Sequence, residues 1–93
     1  MPFKFREVRK SLKKKGFVED KKGHHVYLRH LHNGKRTGAY TLVSHSTPSD
    51  DVGPNIVKAM KRQLKLGTNQ DVHELVECPM TPEKYLEVLD LKP

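Results

Sequence analysis

The apolar positions near the start of the chain recur at helical spacing. Phe5, Val8 and Leu12 form one narrow stripe, and Lys4, Arg6, Arg9, Lys10, Lys13, Lys14 and Lys15 fill the remaining faces, which predicts an amphipathic helix. Gly16 followed by Phe17 suits a left-handed C-terminal cap whose next side chain folds back onto the helix. Residues 17–20 then read as a short strand and residues 21–23 as its turn. Residues 24–32 and 35–45 flank Asn33-Gly34, the dipeptide best suited to the positive φ angles of a two-residue type I′ hairpin.

The turn sets a register. With Asn33 and Gly34 central, His32 lies opposite Lys35 and opposed residue numbers sum to 67, so His24 faces Val43, His25 faces Leu42 and Tyr27 faces Tyr40. Opposed residues share a face. Tyr27, Leu31, Tyr40 and Leu42 therefore lie on one side, with Arg29 and Arg36 among them; His24, His30, His32, Lys35, Thr37, Thr41 and His45 lie on the other, with Val26, Leu28 and Val43. The aromatic side is expected to be the core, and a single bulge would reverse the assignment beyond it.

Residues 48–53 read as a loop, and Pro54 suits the first position of a helix, where its missing N–H costs nothing. Ile56, Met60 and Leu64, beside Ala59, give this helix a stripe, and Gly67 ends it. The pattern helix, three strands, helix predicts an α+β two-layer sandwich with both helices on the tyrosine side of an antiparallel sheet. Two short helices follow. Thr68-Asn69-Gln70-Asp71 has capping-box form ahead of Val72, Leu75 and Val76, and Thr81-Pro82 precedes Tyr85, Leu86 and Leu89, with Cys78-Pro79 between them.

Composition changes this picture in one respect. Ninety-three residues suffice for a single one-core domain, and its +7 net charge is unevenly spread. Sixteen of the 18 lysines and arginines, but five of the 11 acids, precede Gly67, giving +11 there and −4 beyond it. A basic body attracts polyanions, most commonly nucleic acid. Cys78 is the only cysteine, so neither an internal disulfide nor a cysteine-based zinc motif can form, which fits a reducing cytosol. The first ten residues lack an apolar signal region, and no run approaches the roughly 20 apolar residues of a membrane span, so the expectation is a soluble cytoplasmic protein.

The histidines are the candidate chemistry. His24 and His30 would lie about 20 Å apart along a strand and cannot share an ion. His30 and His32, about 6.6 Å apart on one face, could, but no third ligand has suitable spacing. Cys78 has nothing beside it to activate it and reads as a buried or half-buried thiol. Acid/base chemistry suits the pattern better, because a histidine titrates near neutral pH. In the predicted register His45 is the diagonal neighbour of His24, roughly 7 to 8 Å away, so two imidazoles could bracket one phosphate. RNA cleavage needs a base for the 2′-hydroxyl proton, an acid for the leaving 5′-oxygen and cations for the phosphorane charge. Lys21, Lys22 and the basic first helix could supply those cations. The alternative reading of both histidines is a solvated strand end, His45 within the polar Ser44-His45-Ser46.

The order of elements, with Lys22-Gly23-His24-His25-Val26-Tyr27 opening the second strand, resembles HicA-type toxins, also called YcfA-like proteins. Their signature there is Gly-Ser-His, two residues and an aromatic; Lys22-Gly23 stands where the family has Gly-Ser. Val43-Ser44-His45-Ser46 resembles the end of the family's third strand and residues 54–66 its second helix, so the similarity covers residues 3–66. Some longer relatives carry a Cys-Pro-containing helical tail like residues 75–89.

The resemblance implies a double-stranded-RNA-binding-domain-like fold over residues 1–66; residues 67–93 are expected to form an acidic helical extension packed on the same domain. It implies a toxin of a type II toxin–antitoxin system, an endoribonuclease cleaving mRNA with no obligatory metal or other cofactor. A HicB-type antitoxin would cover the histidine. His24 takes the catalytic position, helped by His45, and the expected RNA contacts are Lys10, Lys13, Lys14, Lys21, Lys22, Tyr27 and Arg29. Two other readings are a non-catalytic RNA-binding module on this fold and a protein-interaction module using the acidic extension.

Overall fold

A computed structural model of the chain describes residues 3–44, 49–77 and 80–91. Its elements are α1 (Phe5–Lys13), β1 (Phe17–Lys22), β2 (His25–His32), β3 (Lys35–Ser44), α2 (Pro54–Gln63), α3 (Asn69–Val76) and α4 (Pro82–Val88). The strands form one antiparallel sheet in the order β1-β2-β3. This is the α+β architecture of a double-stranded-RNA-binding-like domain, extended by two short helices.

Phe5, Val8 and Leu12 are buried as their spacing predicts. Lys15 is not on the solvated face with the other lysines: it is buried, and its Nζ donates to the Leu75 carbonyl while Ser11 Oγ donates to that of Val76. These two bonds tie the end of α3 to α1. In α2 the buried positions are Val57 and Met60, followed by Leu64 at its C-cap, whereas Ile56 is 40% exposed. The helix stops before Gly67 because Lys65 adopts φ 61° and Leu66 N–H bonds back to the Lys61 carbonyl at 2.9 Å, a Schellman closure made with lysine instead of glycine.

The Asn33-Gly34 turn forms as expected, with φ 54° and 77° at its two central residues. The pairing nearest the turn follows the predicted register, His32 opposite Lys35 and Leu31 opposite Arg36. Beyond it the register slips by two. Arg29 faces Tyr40, Tyr27 faces Leu42, Val26 faces Val43 and His25 faces Ser44, because Thr37, Gly38 and Ala39 of β3 all stand against His30.

An insertion of two residues preserves the inside–outside alternation, so the predicted partition into two faces survives. The choice between the faces is reversed. Val26, Leu28, Ala39, Thr41 and Val43 are buried with His30, while Tyr27, Leu31 and Leu42 are half-buried and Tyr40 is 39% exposed on the open side. The helices cover the histidine side, not the tyrosine side. The reason is electrostatic: the open side carries Arg29 and Arg36, whose burial would strand two guanidinium charges. The two polar groups of the inner side have partners, His30 Nδ1 with Thr37 Oγ1 at 2.9 Å and Thr41 Oγ1 with Gln63 Oε1 at 2.9 Å.

The capping box before α3 is present, with Asp71 N–H bonded to Thr68 Oγ1 and Thr68 N–H to Asp71 Oδ2. Val72, Leu75, Val76, Met80 and Tyr85 join the core. Tyr85 is fully buried, its hydroxyl donating to the Leu64 carbonyl at 2.8 Å and its ring packing on Phe17 and His30.

Candidate active site and nucleic-acid interface

β1 runs to Lys22 instead of ending at residue 20, and Lys22 pairs with His25 as the last rung of its ladder with β2. The turn is therefore Gly23-His24 alone. Gly23 has φ 61° and His24 does not share that sign, the arrangement of a type II′ hairpin, which takes glycine first. His24 thus stands at the tip of a tight hairpin, exposed, and not on a strand face with His30 and His32. Among the described residues nothing hydrogen-bonds its ring. His45, the expected second imidazole, lies outside the described residues, as does Cys78.

Around the tip the surface is basic. Lys21 and Lys22 are exposed, Lys22 Nζ lying 3.9 Å from Asp20 Oδ2. Asp20 also accepts from Arg29 Nη1 at 2.7 Å, and the Arg29 guanidinium sits 4.8 Å from the centroid of the Tyr27 ring. Tyr27, Arg29 and Lys22 are thereby joined on the open face of the sheet. His25 begins β2 on this face and is exposed.

Lys10, Lys13 and Lys14 belong to a different surface, because α1 lies on the covered side of the sheet. Lys10 and Lys14 are exposed; Lys13 Nζ is 3.4 Å from Glu19 Oε1. Arg9 Nε donates to the same carboxylate at 2.6 Å, and this bond holds Glu19 below the usual carboxylate range. The seven expected RNA contacts therefore do not share one surface: Lys22, Tyr27 and Arg29 lie on the open face, whereas Lys21, opposite the buried Val26, falls on the side of the sheet that carries α1 with Lys10, Lys13 and Lys14.

His30 is a core histidine and not a ligand. Its ring lies between Phe17, at 4.9 Å, and Tyr85, at 5.1 Å, and burial pushes its pKa below the ordinary imidazole value, with the neighbouring His32 acting in the same direction. Among the described residues no three of His, Cys, Asp and Glu gather as a metal site. No described helix is long and apolar enough to cross a membrane.

Sequence reasoning passed over Tyr40, Arg62 and Lys65, which line a cleft between α2 and the edge strand β3. The available signal was α2 itself, whose sequence holds Lys58, Lys61 and Arg62 and no acid.

The fold and the tip define a class: a small basic sandwich of helices on a three-stranded sheet that presents an imidazole beside two lysines at a hairpin. The family described as the HicA toxin of bacterial toxin–antitoxin systems matches residues 5–66, two thirds of the chain, and the chain belongs to that family. It is accordingly a toxin of a toxin–antitoxin system, from a family of ribonuclease-type toxins, and has an antitoxin partner. Neither curated proteins nor solved structures give a match.

Proposed function

We propose that the protein is a metal-independent endoribonuclease that cleaves mRNA, with His24 as the essential acid/base. The observation that carries this reading is the placement of His24: an exposed imidazole at the tip of a two-residue turn, one glycine beyond Lys21 and Lys22. A phosphodiester of an unstructured RNA can reach it from outside. One imidazole removes the 2′-hydroxyl proton as the 2′-oxygen attacks phosphorus, and the P–O5′ bond breaks as the leaving oxygen takes a proton. The products are a 2′,3′-cyclic phosphate and a 5′-hydroxyl. Lys21 and Lys22 supply positive charge for the phosphorane. His45, next in sequence after the Ser44 that pairs with His25, is the proposed second imidazole, and a HicB-type antitoxin is the proposed partner that covers His24.

Purified protein should cleave unstructured RNA in the presence of EDTA, and His24→Ala should abolish cleavage without shifting the melting curve. Cleavage that survives the substitution removes His24 from the mechanism. A second reading, an RNA-binding module without catalysis, is favoured by Lys22-Gly23 in place of the family's Gly-Ser and by the lack of a described group that orients the His24 ring. Salt-sensitive RNA binding with no cleavage under any condition would select it.

A further inference from the structure

The seam between the edge strand β3 and α2 holds two clefts that join end to end. One, of about 370 Å³, has an apolar floor that includes Leu42, Ile56 and Met60, with His25 at its rim. The other, of about 360 Å³, is lined by Gly38, Tyr40, Arg62 and Lys65. Ala59 and Gln63 line both, so they form one continuous groove. From Asn55 to Lys65 it follows α2 for about 15 Å at helical rise. One end opens beside His25, the neighbour of His24 in the chain; the other ends in two cations.

We infer that this groove binds single-stranded RNA, with bases on the apolar floor and on Tyr40 and the backbone phosphates on Arg62 and Lys65. The two chemistries of the groove match the two of a single strand. No carboxylate lines either cleft, and neither Arg62 nor Lys65 has an acidic partner among the described residues, so the charge is available to an anion. Tyr40 and Ile56 are the large hydrophobic side chains left open along this seam, and an exposed aromatic beside unpaired cations suits base stacking with phosphate contact. An apolar floor selects against a duplex, whose base faces are stacked inside the helix.

The two-residue insertion in β3 builds the cationic end. Gly38, at φ 92°, presents bare backbone there, and a Cβ in its place would stand 3.0 Å from Lys65 Nζ. Lys65 is itself aimed by the left-handed turn that closes α2. Loop and helix end thus hold one ammonium over one strip of strand edge.

The inference rests on the ribonuclease reading for RNA as the polyanion, but its test reads binding and not cleavage. In a His24→Ala background, the anisotropy of a fluorescein-labelled single-stranded RNA would be titrated over a range of salt. Arg62→Ala with Lys65→Ala should weaken binding tenfold or more and reduce the salt slope by about 1.4, two single-strand phosphate contacts. Tyr40→Ala should weaken binding about tenfold with the slope unchanged. All three side chains are solvent-facing, and unchanged thermal melts would show the variants folded. If the parent binds RNA and the groove variants bind within twofold of it, while Lys10→Ala with Lys14→Ala loses affinity, the groove is overturned and the ribonuclease reading stands. Groove variants that keep RNA affinity and lose the antitoxin would make the groove a protein site and also overturn the inference. Equal binding of duplex and single strand overturns the selectivity. A parent that binds no RNA overturns the groove and the ribonuclease reading together.

Discussion

The His30 imidazole meets the Tyr85 ring edge to face, with centroids 5.1 Å apart and planes at 88°. This contact joins the middle strand of the sheet to the last helix, and it keeps a titratable ring in the core.

A pH dependence follows from that burial. The pKa of His30 is lowered by desolvation and by His32, so the native state refuses a proton that the unfolded chain accepts. Above about pH 6.5 the ring is neutral in both states and its contribution is intact. As pH falls below that value stability declines, by up to about 1.4 kcal/mol per pH unit, until the depressed native pKa is reached. Urea melts at pH 7.5, 6.5 and 5.5 should show a shallower slope for His30→Phe than for the wild type.

Tyr85 gives a graded test of the extension. Tyr85→Phe keeps the ring contacts and leaves the Leu64 carbonyl without its 2.8 Å donor, at a cost of about 1 to 2 kcal/mol. Tyr85→Ala opens a cavity between Phe17 and His30 and should cost about 3 to 5 kcal/mol. A chain cut after residue 66 loses Val72, Leu75, Val76, Met80 and Tyr85 from the core and should not fold cooperatively, as circular dichroism melts would show.

The ion pair between Arg9 and Glu19 fastens α1 to β1 at 2.6 Å. The Glu19 pKa is lowered, so its contribution is present above the ordinary carboxylate value of about 4.5 and fades as pH falls through the native one. Glu19→Gln should cost on the order of 1 kcal/mol at pH 7 and nothing at pH 2, measured by denaturant titration.

Gly23 controls the position of His24. Its φ of 61° is strained for residues with a Cβ, although nothing lies within 4 Å of one built there. Gly23→Asn, which tolerates this region, should retain most RNA cleavage. Gly23→Val should lose stability by about 1 to 2 kcal/mol and, on the proposed mechanism, lose more activity than the melting shift explains.

What could be read from the chain was what local chemistry decides. Asn33-Gly34 specified its turn and the two rungs beside it, Thr68 with Asp71 specified a helix start, and Phe5, Val8 and Leu12 specified a buried stripe. The inner face of the sheet could not be chosen in that way. His30 and Thr41 are acceptable inside only because Thr37 and Gln63 reach them, one from a strand irregularity and the other from a helix 22 residues on. Lys15 looked like one lysine among seven basic residues, and its burial depends on a carbonyl 60 residues away. At the site, the histidine, the lysines and the glycine were legible, whereas β1 runs two residues longer than expected, which moves the turn from residues 21–23 to Gly23-His24. The irregularity in β3 had a visible sign in Gly38, an isolated glycine within a strand pattern.

The slip of two residues opposite His30 also sets how this hairpin tolerates changes in length. Removing one residue from positions 37–39 would exchange the faces of everything between there and Ser44, sending Thr41 and Val43 outward and drawing Tyr40 and Leu42 in. Removing two would restore an unbroken ladder with every side chain still on its own face. The hairpin can therefore lengthen or shorten in steps of two while the sheet beneath it stays packed.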